Sequence, residues 1–228
     1  MQMEYGQAIS FPRQDRGWIV KLLIGSVLSL VPVLGQVVVA GYGQEIAHRV
    51  YSDNPRPLPD WSNWGALLAR GVRWLIVVFV YMLPLALFGA LLAGVNWGID
   101  QIMLSSGAAE QTRNVGLVLS LCGNALVIGY GILGSLLLIA ATGRMAVQDR
   151  LGAAFQLGAI WADVRHQAGM YLSVLIVSAV AYVLLPAIGA IGCGVGALVG
   201  LTYATWISSY LAGEAYQVSR SREREKEA

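Results

Sequence analysis

The chain has 228 residues, of which 57% are hydrophobic and 12% are charged, and its formal net charge is +2. Soluble domains carry about 25% charged residues, so this chain has too few charges to cover a water-facing surface. The composition therefore excludes a soluble enzyme, a disordered chain and a nucleic-acid-binding module, and we expect no nucleic-acid partner.

Long segments of the chain contain no charged residue, among them residues 75–95, 115–142 and 167–213. Uncharged apolar segments of about 18 residues or more are typical of membrane-spanning helices. The sequence therefore predicts an all-α, polytopic integral membrane helical bundle that contacts the lipid bilayer. We expect one membrane domain over residues 1–228, with a cytoplasmic or interfacial segment at 1–18 and a charged cytoplasmic tail at 214–228.

The first apolar segment, residues 22–44, is interrupted at Pro32 and Gly35. Proline removes a helix hydrogen bond and glycine tolerates a turn, so the chain can fold back there. Folding back leaves every Lys and Arg except Arg113 on one side of the membrane, whereas a single crossing divides them. We predict a helical hairpin over about 20–47 whose short arms make it re-entrant or tilted.

This hairpin carries no signal-peptide cleavage site, so we expect it to remain in the protein. The same charge distribution predicts a multi-pass protein of the cytoplasmic membrane with both termini in the cytoplasm and residues 96–114 as the one sizeable external loop. Two helices, at about 72–96 and 115–142, are predicted to span the bilayer.

Two connecting segments have the pattern of amphipathic helices on the membrane surface. In the first, Trp61, Trp64 and Leu68 share one face, and Asp60 is the expected N-cap.

In the second connecting segment, Leu157, Ile160, Trp161 and Val164 form the apolar face, with Asp163 among the polar residues. Trp18, Trp61, Trp64 and Trp161 are the predicted interfacial aromatic residues. Packing of both helices on the protein's own bundle is an equally open alternative.

The longest uncharged segment would be about 70 Å long as one helix, more than twice the bilayer core, so it must fold back. Pro186 and Gly189 are the predicted break, which gives a second hairpin over about 169–213. This break resembles the break at Pro32 and Gly35 in sequence, and a true internal repeat stays open.

Small residues at four-residue spacing allow membrane helices to approach closely. Gly189, Gly192, Gly196 and Gly200 are predicted to form such a helix-packing face. The two cysteines, Cys122 and Cys193, lie in apolar segments and are not expected to form a disulfide. Gly129, Gly131 and Gly134 match a dinucleotide-binding pattern, but they follow no strand and are better explained by helix packing.

Ionisable residues inside a bilayer are usually functional, but the middles of the long apolar segments contain none. Glu45 and Glu214 lie at the ends of two such segments and form the candidate polar site, with pairing to Arg49 or Arg220 as the alternative. His48 and His166 have no partner at the spacing that a helical zinc site needs. We therefore expect no catalytic residue, no metal and no cofactor.

The amino-terminal third also carries a family resemblance. Its motifs are Asp15-Arg16-Gly17-Trp18 with Lys21, then Pro32 with Gly35, Gly41-Tyr42, and Leu58-Pro59 with Trp61 and Trp64-Gly65. This order resembles an uncharacterised prokaryotic integral-membrane family, a domain of unknown function, most sharply over residues 11–75. Arg16 stands where that family leads us to expect a proline. The resemblance implies a small polytopic protein and no particular activity.

Two functions are compatible with these observations. The first is a non-enzymatic accessory or scaffold subunit, which packs its glycine-rich helix faces against other membrane subunits or a second copy of itself. The second is a small transporter or channel, in which the broken hairpins bind an uncharged solute or an ion at mid-membrane. The absence of charge from the middles of the apolar segments favours the first.

Overall fold

The computed structural model describes residues 3–106, 109–192 and 194–227, and every regular segment in those ranges is helical. The helices are α1 (Tyr5–Ser10), α2 (Trp18–Leu28), α3 (Leu34–Tyr51), α4 (Trp64–Ser106), α5 (Ala109–Gln148), α6 (Leu157–His166), α7 (Ala168–Gly192) and α8 (Gly194–Glu227), with short 3₁₀ turns at Phe11–Gln14 and Leu151–Phe155. The predicted all-α fold class is confirmed for this part of the chain.

Four helices in the described ranges are long and apolar enough to cross a membrane. They are Trp64–Gln101, Gly116–Gln148, Ala168–Ile191 and Gly194–Arg222. Their number and composition indicate a multi-pass membrane protein. The chain forms two compact units, one from residues 1–77 and 136–228 and the other from residues 78–135.

The amino-terminal hairpin turns where the sequence predicts. Helix α2 ends at Leu28, helix α3 begins at Leu34, and Pro32 lies in the turn between them. Gly35 lies so close to α2 that a Cβ there would collide with the carbonyl oxygen of Leu28. Helix α2 has 11 residues, which is only about 17 Å, too short to cross a bilayer.

The second hairpin turns later than predicted. Pro186 and Gly189 both lie inside α7, which continues to Gly192, and α8 begins at Gly194. Cys193 lies outside the described residues. Proline is tolerated inside membrane helices because neighbouring helices compensate for its lost hydrogen bond, and Gly200 of α8 packs directly against the backbone at Pro186. Because Pro32 lies in a turn and Pro186 does not, the two breaks are not structurally equivalent.

The first predicted surface helix is not a separate element. Trp61 lies in the turn that precedes α4, and Trp64 is the first residue of a continuous helix of 43 residues. The cap is Asn63 rather than Asp60, because Oδ1 of Asn63 accepts a hydrogen bond from the backbone N–H of Ala66 at 3.3 Å. With no proline between Pro59 and Pro84, nothing ends the helix before it enters the apolar segment.

The predicted external loop is mostly helical as well. Helix α4 continues to Ser106 and α5 begins at Ala109, while residues 107 and 108 lie outside the described ranges. Within the unit of residues 78–135, the side chain of Leu92 packs against Gly123, and the hydroxyl of Tyr130 donates to the carbonyl of Tyr81 at 3.2 Å. The two helices thus form a closely packed antiparallel pair.

An aromatic stack forms the centre of the larger unit. The ring of Tyr42 lies between Trp61, at 4.1 Å between centroids, and Trp206, at 5.5 Å. Tyr42 and Trp206 are fully buried, and the Tyr42 hydroxyl donates to the carbonyl of Pro59 at 2.7 Å. This stack joins α3, the loop before α4 and α8 at one point.

Glycines bring the helix backbones into direct contact. A Cβ on Gly41 of α3 would collide with the carbonyl oxygen of Leu67 on α4, and a Cβ on Gly71 of α4 would collide with the carbonyl oxygen of Val37 on α3. The crossing of these two helices therefore depends on glycine at both positions.

Candidate functional site

A cavity of about 320 Å³ lies where the amino-terminal segment, the end of α3 with the loop after it, and the middle of α8 meet. Its charged groups are the carboxylates of Glu4, Asp53 and Glu214. Its other walls are amide side chains, the aromatic rings of Phe11 and Tyr210, and a few apolar residues. No basic residue is among the described residues that line it. The cavity is therefore acidic.

Glu214 is the most buried carboxylate of this cavity, with 9% of the residue exposed. Its Oε1 accepts a hydrogen bond from the backbone N–H of Glu4 at 2.8 Å, a contact that joins α8 to the amino terminus. Its Oε2 is buried and has no hydrogen-bond partner among the described groups. A buried carboxylate oxygen without a partner is costly, so this group needs a compensating charge or proton.

The other two carboxylates each accept a hydrogen bond from an amide side chain. The side chain of Gln7 donates to Oε2 of Glu4, and Nε2 of Gln217 donates to Oδ1 of Asp53 at 2.8 Å. The described residues include no group of three His, Cys, Asp or Glu side chains with the geometry to hold a metal ion.

Glu45 lies in a different polar site. Arg49, one turn later on α3, donates to its Oε1 at 2.8 Å, and Arg70 of α4 pairs with its Oε2. Arg70 and Arg73 also contact Asp149, at 3.4 and 2.9 Å. The sequence treats Glu45 and Glu214 as one candidate site, but the structure gives each carboxylate its own partners. The alternative pairing of Glu45 with Arg49 is the one observed.

The motif Asp15-Arg16-Gly17-Trp18 with Lys21 forms a third charged cluster together with Asp60. Nζ of Lys21 donates to Asp15 and to Asp60, each at 2.8 Å, and the backbone N–H of Gly17 donates to Asp15 at 2.8 Å. The hydrogen bond from Lys21 lowers the pKa of Asp15 below its ordinary 3.8, against the opposing effect of burial. Burial lowers the pKa of Lys21, but its hydrogen bonds to Asp15 and Asp60 outweigh this and raise the pKa above 10.5.

A buried ion pair joins α5 to α6. Arg144 donates to Oδ2 of Asp163 at 2.7 Å, and the two side chains are 5% and 3% exposed. Gln156 accepts a second hydrogen bond from Arg144 at 3.2 Å. The sequence predicts Asp163 as part of the polar complement of an amphipathic helix, with packing on the protein's own bundle left open, and in the structure its side chain is buried against Arg144. Helix α6 turns Ile160, Asp163 and Val164 inward, and it exposes Leu157 and Trp161.

The predicted interfacial tryptophans divide into two pairs. Trp61 stacks on Tyr42 and donates to the carbonyl of Lys21 at 3.1 Å, and Trp18 meets Tyr203 edge-on. Trp64 and Trp161 are about half exposed. An interfacial role remains a prediction for the exposed pair, while the first pair packs within the chain.

The predicted glycine face belongs to two helices instead of one. A Cβ on Gly189 of α7 would collide with the carbonyl oxygen of Gly196 on α8, and the converse also holds. A Cβ on Gly200 of α8 would likewise collide with the carbonyl oxygen of Leu185 on α7. The surroundings of Gly192 lie outside the described part of the chain. These glycines thus close the second hairpin on itself.

Sequence reasoning did not find Glu4, Asp53 and Gln217 as site residues. They are far apart in the chain and lie in segments whose polar residues are ordinarily solvated. The one pattern in the sequence that points to this cavity is the position of Glu214 directly after an uncharged segment. This pattern identifies Glu214 but none of the other three residues.

Comparison with known proteins places the chain in a family. A family model described as "Protein of unknown function (DUF4013)" matches residues 24–194. No curated protein and no solved structure matches the chain. The matched range includes most of the first hairpin and all of α4 to α7, and it excludes Glu4 and Glu214. The chain, with its four candidate membrane spans, belongs to the DUF4013 family of unknown function.

Proposed function

We propose that the protein is a non-enzymatic accessory or scaffold subunit of a larger complex in the cytoplasmic membrane, with both termini in the cytoplasm. The observation that carries the proposal is a partly exposed polar stripe on α5, inside the candidate span Gly116–Gln148. The stripe consists of Ser120, Asn124, Gly131 and Ser135.

The stripe follows the helical repeat. Ser120 lies one turn before Asn124, Gly131 lies two turns after it, and Ser135 follows one turn later, so all four share one face. The Asn124 side chain is exposed and donates to the carbonyl of Ser120 at 2.7 Å, within its own helix. A Cβ on Gly131 would meet nothing within 4 Å. The face therefore carries small and polar residues, with an exposed amide at Asn124 and free space beside Gly131.

Such a face is poorly suited to lipid. An amide in hydrocarbon lacks partners for its remaining hydrogen-bonding capacity, and interhelical hydrogen bonds from Asn contribute to the association of membrane helices. Small residues allow a second helix to approach closely at the same place. A helix of another membrane subunit, or of a second copy of this chain, meets both requirements.

The charged groups support a structural role in place of catalysis. The carboxylates of Asp15, Glu45 and Asp163 are each held in an ion pair by a basic residue of this chain. General acid-base catalysis requires titratable groups gathered around a substrate position. The glycine contacts of the second hairpin also hold its two arms backbone to backbone, which leaves little room for a solute path between them.

Co-purification tests the proposal. The protein is extracted in a mild detergent, and its native mass and composition are measured by blue-native electrophoresis and mass spectrometry. We expect a stoichiometric partner or a homo-oligomer, which Gly131→Leu disrupts because the new side chain separates the helices. Gly129→Leu is the matched control, since Gly129 is equally open but faces another direction on α5.

Two outcomes would contradict the proposal. One is a lone monomer for the wild type, and the other is equal assembly of the two glycine variants. Solute movement by the purified protein in liposomes, without any partner, would favour the transporter instead.

A further inference from the structure

We propose that α6 and the 3₁₀ turn before it bind the headgroups of anionic phospholipids in preference to zwitterionic ones. Both elements belong to residues 149–167, which we call the connecting segment. The inference concerns lipid recognition by this segment. It is independent of the subunit role proposed above, because the polar stripe on α5 takes no part in it.

The first argument is the position of the connecting segment between two candidate membrane spans. Gly116–Gln148 ends directly before the segment, and Ala168–Ile191 begins directly after it. Both ends of the segment therefore lie where a spanning helix leaves the bilayer. The ion pair of Arg144 with Asp163, at 2.7 Å, also holds the middle of α6 beside the last residues of the first span. Helix α6 is thus placed at the level of the lipid headgroups.

The second argument is the composition of the open face of α6. Leu157, Trp161 and Arg165 are exposed and follow one another at four-residue intervals, so they lie within about 80° of arc on the helix. Phe155, in the preceding 3₁₀ turn, is exposed as well. Apolar and tryptophan side chains beside arginine are typical of helices at the boundary of headgroups and acyl chains. The arginine keeps its charged end among the headgroups there.

The third argument is the charge that the connecting segment presents outward. Its two carboxylates are paired within the chain, since Asp163 is buried against Arg144 and Asp149 contacts two arginines of α4 at 3.4 and 2.9 Å. Arg150 and Arg165 are exposed and form no ion pair with any residue that the structure describes. A guanidinium binds phosphate oxygens with paired hydrogen bonds. The outward charge of the segment is therefore basic and complements an anionic headgroup.

Position and charge together favour lipid over a protein partner as the occupant of this face. Lipid headgroups already surround the end of a spanning helix, whereas a protein partner would have to bring both an apolar surface and acidic groups to the same place. A protein partner is the alternative that the experiment excludes or reveals.

Quenching of a fluorophore on this face by spin-labelled lipids tests the proposal. The full chain, with Cys122 and Cys193 replaced by alanine, carries Gly158→Cys labelled with NBD. Gly158 is exposed, and a Cβ there meets nothing within 4 Å, so the label is accommodated.

The labelled protein is placed in phosphatidylcholine nanodiscs. These contain equal mole fractions of either doxyl-labelled phosphatidylglycerol or doxyl-labelled phosphatidylcholine, with the quencher at the same acyl position. We expect at least about twofold stronger quenching by the anionic probe, because basic residues near the surface concentrate anionic lipid. Added salt should reduce this preference.

A double variant removes the basic groups of the face. Arg150→Gln combined with Arg165→Gln should lower the ratio of quenching by the two probes to about one. Quenching by the phosphatidylcholine probe should persist, because Leu157 and Trp161 still enter the interface. Trp161→Gln should instead weaken quenching by both probes to the same extent.

Arg16→Gln combined with Arg56→Gln is the matched control. Both arginines are exposed, and neither belongs to the connecting segment, so the net charge changes by the same amount while this face stays intact. The preference for the anionic probe should equal that of the wild type. Thermal midpoints establish that every variant is folded.

Three outcomes would overturn the proposal. Equal quenching of the wild type by the two probes would show that the face does not select anionic lipid. Quenching by neither probe would show that water or a protein partner covers the face. An equal loss of preference in the two double variants would assign the preference to the total charge of the protein.

Discussion

Arg144 and Asp163 form an ion pair at 2.7 Å that is almost completely removed from solvent. Arg144 lies near the end of α5, and Asp163 lies on α6, so the pair fixes the position of the short helix on the larger unit. The guanidinium also lies 5.9 Å from the ring centre of Tyr216 on α8, which makes the site a junction of three helices.

Replacing one residue of the Arg144–Asp163 pair should lower the free energy of unfolding far more than replacing both. Asp163→Ala leaves a buried, uncompensated arginine and should lower the free energy of unfolding by about 3–5 kcal/mol. Arg144→Met combined with Asp163→Leu replaces the pair with apolar groups and should cost much less. Thermal midpoints in one detergent compare the three proteins. Equal losses for the single and double variants would show that the pair is not the source of the effect.

The crossing of α3 and α4 should not tolerate a single methyl group. Gly71→Ala places a Cβ on the carbonyl oxygen of Val37, so the helices must separate, and we expect a loss of about 3 kcal/mol. Gly65→Ala, on the same helix, meets nothing within 4 Å and should be neutral or slightly stabilising, because alanine favours the helix. Thermal midpoints measure both. A Gly71→Ala protein as stable as Gly65→Ala would contradict the backbone contact.

The cluster of Asp15, Lys21 and Asp60 should give a defined pH dependence. Because the pKa of Asp15 is lowered in the folded protein, its contribution to stability is complete above pH 3.8. That contribution is lost as the pH falls through the lowered pKa. The raised pKa of Lys21 makes its contribution complete below pH 10.5 and lost as the pH rises through the raised value. The pair therefore stabilises the protein across the neutral range.

Lys21→Met isolates this effect. The free energy of unfolding of the wild type should exceed that of the variant by about 1 kcal/mol at neutral pH. This difference should shrink in strong acid and in strong alkali. Thermal midpoints of both proteins across the pH range measure the difference. A constant difference over the whole range would mean that Lys21 acts through its methylene chain and not through its charge.

The predicted topology can be tested with introduced cysteines. After Cys122 and Cys193 are replaced by alanine, Ser106→Cys should react with a membrane-impermeant maleimide added to intact cells. Ser52→Cys, in the turn after α3, should react only after the cells are opened, because the positive-inside distribution predicts that this turn is cytoplasmic. Labelling of Ser52→Cys from outside would contradict the re-entrant hairpin.

The sequence predicts features that depend on local chemistry. The turn at Pro32 follows from the proline and the nearby Gly35, and the pairing of Glu45 with Arg49 follows from their spacing of one helical turn. The spanning helices follow from the absence of charge over lengths that match the bilayer.

Other features depend on contacts between distant parts of the chain. Pro186 stays in a helix because Gly200 brings α8 close to it, and no local rule reveals that contact. Asp163 has the spacing of a surface residue, and only its pairing with Arg144, 19 positions earlier, makes its burial possible. The acidic cavity joins distant residues, such as Glu4 and Glu214, which are 210 positions apart.

The packing of the first hairpin against the last helix has a consequence for biogenesis. Tyr42 stacks on Trp206, and Gly213 of α8 packs on the backbone of Ala47. The backbone N–H of Glu4 donates a hydrogen bond to the side chain of Glu214. Ribosomes add roughly 5–20 residues each second, so the hairpin emerges on the order of 10 s before its partner helix. During that interval the hairpin lacks the helix on which it packs, so its folding in the membrane is completed only after α8 has been made.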